Sequence, residues 1–311
     1  MKKAIFILSF DCEAKWGMAD HIDQKLSNVL NNSDLIKAYL NIMQVLKAYK
    51  VKATFAFVSA MVLSQSEFLS RRDWFASEII QGRPWLEKFH SDVEKGNFEG
   101  WLIPELLDIV QSDNAHEIAS HGFTHLPLSE SLIDRNSFLN EMKKMKKIMN
   151  LKGENPSTFV YPRNLIGYSS DLNTFGIKGY RNQLFESHNS VIKKIKNISS
   201  EFNLFQKSQQ STQDNGIVKI PSGYFLNWRS GKRRLIPIAI TEQRWRFAIK
   251  HAIEKKMVIH LWTHPHNFLT GHKQFNLLQS ILKMVREAED NNQIKVMTQH
   301  EYCEYLKNQN I

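Results

Sequence analysis

The chain opens on a continuous apolar run, Ala4-Ile5-Phe6-Ile7-Leu8-Ser9-Phe10, that ends abruptly in Asp11-Cys12-Glu13. An apolar run of this length, bounded by polar residues, suits a parallel strand buried on both faces. Residues 52–58, 116–120, 157–161, 178–181, 217–220 and 258–263 read as further strands, and 294–298 as one that closes the sheet. Between them apolar residues recur at helical spacing. Leu35, Ile36, Tyr39, Leu40, Ile42, Met43 and Leu46 predict a helix that Ser33-Asp34 can cap. Further helices are predicted over about 132–149, 241–255, 273–289 and 300–306. Strand and helix alternating in this way predict parallel βα units, an α/β fold in one domain over residues 1–311.

Two stretches break the alternation. Residues 64–113 carry Trp74, Trp85 and Trp101 among scattered charges and read as an insertion over one mouth of the fold. Its aromatics can line a sugar site or pack a small core of the insertion's own. Residues 182–215 are rich in Lys, Ser and Gln and read as a long loop or lid. Apolar residues make up 42% of the 311, enough for a sizeable core, which argues against disorder. Cys12 and Cys303 have no framework spacing, so a reducing compartment fits. Met1-Lys2-Lys3 before the apolar run imitates a secretory signal, but the run stops at Asp11 and is needed as a strand. No segment approaches a membrane span, and the expected location is cytoplasmic.

The net charge of +10 is concentrated partly in Lys193-Lys194-Ile195-Lys196 and Lys232-Arg233-Arg234. A solvated surface accounts for it, and so does attraction to a sugar nucleotide, a polyprenyl phosphate or an anionic membrane face in peripheral contact. No helix-turn-helix, zinc-finger or RNA-stacking signature accompanies the charge, and no nucleic-acid partner is expected.

Candidate chemistry gathers at three places. Side chains alternate along a strand, so Asp11 and Glu13 point to one side and Cys12 to the other, at the strand end where α/β folds place ligands. His121 and His125, in Ser120-His121-Gly122-Phe123-Thr124-His125, directly follow a predicted strand. Their four-residue spacing puts both on one side of a helical turn, close enough to hold one cation. Two imidazoles and a carboxylate make a catalytic zinc shell with an open position. In Val258–Asn267, strand parity puts His260, Trp262 and His264 on one face. His260 can be a hydrogen-bonded core residue. His264 at the strand terminus is better placed for proton transfer, and His266 can reach the site or solvent.

These segments resemble the motifs of the polysaccharide deacetylase superfamily, the NodB-homology carbohydrate esterases. Ser9–Glu13 resembles the first motif, 116–125 the second, Phe159-Val160-Tyr161-Pro162-Arg163-Asn164 the third, and Leu261-Trp262-Thr263-His264 the last. Lys52-Ala53-Thr54-Phe55 resembles the family's second strand, and the matches run in family order over about residues 4–270. The resemblance implies a distorted (β/α) barrel of about seven parallel strands. It implies one divalent metal ion, zinc by its donors, held by His121 and His125, with Asp11 as general base and His264 as general acid. The common family motif has two adjacent aspartates, the second a ligand, and that position is Cys12 here. A family variant spaces its acids by two and makes Glu13 the ligand, which strand parity favours, with a Cys12 thiolate as the alternative. The third motif departs from the common form, because Tyr161 precedes Pro162 and Arg163 follows it. The loop can supply a backbone N–H for an oxyanion, or Arg163 can bind a substrate phosphate or carboxylate. Tyr161, Arg163, Trp262 and His266 form the expected substrate-binding set. The implied activity is metal-assisted hydrolysis of an N-acyl amino sugar, and the expected location and the positive charge favour an N-acetyl or N-formyl sugar on a nucleotide or lipid carrier, an intermediate of surface-polysaccharide biosynthesis. The alternatives are cyclic-amide hydrolysis, as in allantoinase-like members, and a metal-free carbohydrate-binding relic.

Overall fold

Strand β1 (Ala4–Cys12) is buried along its whole length. The structure, a computed structural model, describes residues 3–183, 212–214, 216–226 and 235–309. The lid expected over 182–215 lies almost wholly outside the described residues, as do both basic clusters. After β1 come β2 (Thr54–Phe57), β3 (Glu117–Ser120), β4 (Thr158–Val160), β5 (Gly179–Arg181), β6 (Thr212–Asp214), β7 (Ile217–Ile220), β8 (Tyr224–Phe225), β9 (Val258–Thr263) and β10 (Ile294–Met297). Their order across the sheet is β8-β9-β1-β2-β3-β4-β5-β7-β6, with β10 also on β1. Every pairing within this sheet is parallel except β6 against β7, and Ile79–Ile80 and Arg83–Pro84 of the insertion pair antiparallel in a separate two-stranded sheet. The expected parallel strands therefore form, and the sheet curls into a distorted barrel.

The barrel closes differently from the expectation. The strand at 294–298 does not close the sheet: β10 pairs with Ala4–Ile7 of β1, below the stretch Ser9–Cys12 that pairs with β2. Closure falls to one short run, since β7 pairs with β5 and β8 pairs with β9. His260 fastens this run by donating from Nδ1 to the Pro221 carbonyl (2.8 Å). Gly223 lets it pass, because its φ is +68° and any side chain would strike the His260 carbonyl.

Strand parity explains the layers. Phe6, Leu8, Phe10 and Cys12 face outward into the main core with Leu35, Tyr39, Ile42 and Leu46. Ile5 and Ile7 face inward and meet Val218, Ile220 and Val258. Each such large apolar side chain, fully buried, contributes on the order of 1.5–3 kcal/mol. Ser9, next along the inner face, bonds His260 Nε2 (2.8 Å). Asp11 and Glu13 end that inner row at the carboxyl mouth.

Helices α1 (Asn32–Tyr49), α2 (Arg135–Leu151), α3 (Ile238–Lys255), α4 (His272–Asp290) and α5 (Gln299–Asn308) lie close to their predicted spans. The cap of α1 is Asn31, not Ser33-Asp34: the Asn31 side chain accepts from Asp34 N–H (2.9 Å), which places Asp34 inside the first turn. Leu40 is 46% exposed, off the buried stripe. The insertion does not keep a core to itself. Its Phe89 and Trp101 pack on Trp16 from the loop after β1, with ring centroids 4.7 and 5.2 Å away. Trp85 leaves this cluster for the barrel mouth. Among the described residues no helix is long and apolar enough to cross a membrane.

Candidate active site

The carboxyl ends of β1, β3, β5 and β9 deliver the polar residues of the mouth. Glu13 follows β1, and Gly17 makes room for it, since a Cβ there would overlap the Glu13 carboxylate. Cys12 points the other way. Its sulfur lies 3.6 Å from the Phe10 carbonyl, and burial pushes its thiol well above the usual range. It is not part of the donor set.

Glu13 Oε2 lies 3.3 Å from His121 Nε2 and 2.9 Å from His125 Nε2, and the two imidazole nitrogens are 3.2 Å apart. His121 Nδ1 is 2.7 Å from the Val160 carbonyl, so that nitrogen carries the proton and Nε2 presents a lone pair. A lone pair thus faces a carboxylate oxygen in a buried place. His125 Nδ1 is also buried and has no hydrogen-bond partner among the described residues. Three electron-pair donors converge with at most one proton among them, and a divalent cation fits such a set. Burial pulls the His125 imidazole down to about 4 against the opposing pull of Glu13, so the ring is neutral near pH 7. Burial would raise Glu13, but a proton on His264, His125 or His121 is drawn to its carboxylate, and that attraction holds the carboxyl well below the usual range.

The two histidines meet in a way their spacing did not indicate. Residues 121–125 form a loop, not a helical turn: Gly122 has φ +84° and His125 φ +60°. Ser59 and Ala60 N–H groups bond the carbonyls of Gly122 and Phe123 (3.0 and 2.9 Å), tying the loop to the chain after β2. Glu141, buried on α2, holds it from the helix side by accepting from Phe123 N–H (3.1 Å), Thr124 N–H (2.6 Å) and the Thr124 hydroxyl (3.0 Å). Its signal in the sequence is an acid inside the stripe Phe138, Met142, Met145, Met149. Left-handed backbone recurs at Ala14, Arg163 and Asn164, also in mouth loops, where strained residues tend to collect.

Asp11 is clamped by a residue absent from the expected site. Arg181, the last residue of β5, donates from Nη1 and Nη2 to the two carboxylate oxygens (2.7 and 2.6 Å). Its Nη2 also reaches Asn164 Oδ1 (3.0 Å), and its guanidinium lies 4.1 Å over the Trp262 ring. Burial raises the Asp11 carboxyl, but the Arg181 charge and hydrogen bonds outweigh it and hold the group below its ordinary value. An arginine ending a short apolar strand was the available signal. Barrel closure, which carries it to β1, was not visible in the sequence.

His264 stands at the rim with 19% of its side chain exposed, 3.4 Å from Glu13 Oε1 and 4.0 Å from Asp11 Oδ2. Trp262 stacks on Phe225 (4.3 Å) beside it, and buried His266 stacks on the His264 ring (4.8 Å). Arg163 reaches the rim, paired with Asp20 (2.5 Å) and lying 4.5 Å over Trp85, which itself stacks on His125. Tyr161 is a correction: its ring is buried against Phe159 and Tyr180 and its hydroxyl donates to the Gly167 carbonyl (2.9 Å), so its side chain cannot touch a substrate. His260, bonded at both nitrogens, is a core residue.

Residues 33–174 match the family model for polysaccharide deacetylases. The matched stretch contains His121, His125 and the loop at 161–164, while Asp11, Glu13 and His264 fall outside it. In fold the chain is similar to a Mycobacterium smegmatis protein assigned as a polysaccharide deacetylase, with TM-score 0.60 and 14% identity over 100% of this chain and 93% of the other. It is also similar to the PuuE allantoinase, with TM-score 0.53 and 10% identity over 97% and 89%. No curated protein matches the sequence. The second and third motifs therefore lie in a stretch that matches the polysaccharide deacetylase model, and the chain as a whole shares the fold of these neighbours.

Proposed function

We propose that the protein is a metal-dependent hydrolase that removes an acetyl or formyl group from the nitrogen of an amino sugar. The sugar would be carried on a nucleotide or lipid phosphate, as an intermediate of surface-polysaccharide biosynthesis. The observation that carries this reading is the convergence of Glu13, His121 and His125 within 3.3 Å of one another, with Asp11 and His264 on their open side. A relic of the fold has no reason to keep a residue for every role.

A divalent cation bound by Glu13, His121 and His125 supplies Lewis acidity, polarising the acyl carbonyl and acidifying water, and this donor set suits zinc. Asp11 accepts the proton of the attacking water. Arg181 keeps that carboxylate ionised and fixes both of its oxygens. The water oxygen bonds to the acyl carbon and the C–N bond breaks. His264 delivers a proton to the departing amine, which is a poor leaving group without it. Trp262 and Trp85 exclude water from the walls. Arg163 can exchange Asp20 for a substrate phosphate at the rim, which agrees with the net charge of +10.

The test is a screen of nucleotide-linked N-acetyl and N-formyl hexosamines, with allantoin as the competing substrate, each with and without chelator. Chelator-sensitive release of acetate or formate is the expected result. Ring opening of allantoin alone would replace the proposal with cyclic-amide hydrolysis, a reaction compatible with the shared fold. No turnover of any substrate by protein of full metal content would overturn it.

A further inference from the structure

A second donor set lies beside the first and shares one residue with it. Glu13, His264 and His266 present ligand atoms that all lie within 4.8 Å of one another. The Glu13 carboxylate is divided between the two sets, with Oε2 facing His121 and His125 and Oε1 facing His264 at 3.4 Å. Ligand atoms around a tetrahedral zinc with bonds of about 2.0–2.2 Å stand roughly 3.3–3.6 Å apart, so the Glu13–His264 gap already has that size. His266 is buried and its ring stacks parallel to that of His264, 15° between planes and 4.8 Å between centroids, so a shared ion requires the half-buried His264 ring to turn out of the stack.

We propose that Glu13, His264 and His266 form a second, weaker cation site, and that filling it withdraws His264 from proton delivery. The effect on turnover rests on the role of His264 proposed above, whereas the binding does not. Weaker affinity follows from electrostatics: a dication already on Glu13 repels a second one, and a single carboxylate neutralises only part of their combined charge. The protein then has a two-armed response to metal, activation by the first equivalent and inhibition by the second.

Equilibrium dialysis of metal-free protein against zinc tests this, using wild type, His266→Phe and His125→Ala. The phenylalanine keeps a ring against His264 and removes the nitrogens. Wild type should bind two equivalents, the second about tenfold or more weaker. His266→Phe should keep the tight equivalent and lose the weak one, and inhibition by excess zinc should disappear with it. A wild type that binds one equivalent, or a His266→Phe variant that binds two, overturns the second site. Retention of the tight equivalent by His125→Ala would instead overturn the first site, so the two failures are distinguishable. Should His266→Phe fail to fold, imidazole nitrogen shifts in wild type decide: the second equivalent must move His264 and His266, and shifts confined to other histidines refute the proposal.

Discussion

Two buried glutamates grip the same loop from opposite sides, and their surroundings differ in kind. Glu141, on the helix side, accepts from two backbone N–H groups and a hydroxyl. Glu13, on the strand side, meets imidazole nitrogens only. Burial raises the Glu141 carboxyl and the hydrogen bonds of Thr124 do not fully offset it, whereas the histidines carry Glu13 well below its ordinary value. An acid satisfied by donors holds structure. An acid surrounded by groups with lone pairs of their own calls for a cation.

The comparison breaks most visibly on the strand side. Asp11→Asn should lower kcat by about 10²–10⁴-fold, the usual contribution of a general base, while metal content stays near that of wild type. Full activity in this variant, measured alongside metal analysis, would remove Asp11 as the base. His125→Ala should lose metal and activity together, by elemental analysis and turnover on the same sample. Arg181→Met leaves the Asp11 charge buried and unpaired, so unfolding should show a loss of about 3–5 kcal/mol, with metal content retained.

Helix-side changes should be milder. Glu141→Ala frees the loop that carries both imidazoles, and metal affinity should fall about 10–100-fold without abolishing binding. Glu141→Gln should restore most of it, because one oxygen of Glu141 accepts the bonds from Phe123 N–H, Thr124 N–H and the Thr124 hydroxyl. The smallest effect is in the pH dependence of stability. A folded carboxyl above its unfolded value favours folding when protonated, so the Glu141 contribution is present below about 4.5 and lost as pH rises through the folded value. Glu13 runs the other way, its contribution present above about 4.5 and lost as pH falls through the depressed value. Glu141→Gln should remove the first dependence in melting curves and leave the second.

Much of this was legible because it is local. Apolar runs mark the strands, and strand parity alone separates Glu13 from Cys12. Arg181, Glu141 and the core placement of Tyr161 were not legible, because each depends on which strands meet. Arg181 reaches Asp11 only once the barrel curls. The loop at 121–125 defeated a spacing argument that assumed helical geometry, since positive φ at Gly122 and His125 brings the imidazoles together by another route.

Anomalous diffraction at the zinc edge, from crystals of protein loaded with one equivalent of zinc, tests the central claim most directly. One peak at about 2.0–2.2 Å from a Glu13 oxygen and from Nε2 of His121 and His125 is the predicted result. A peak elsewhere on the molecule, with no density among these three residues, would contradict the account.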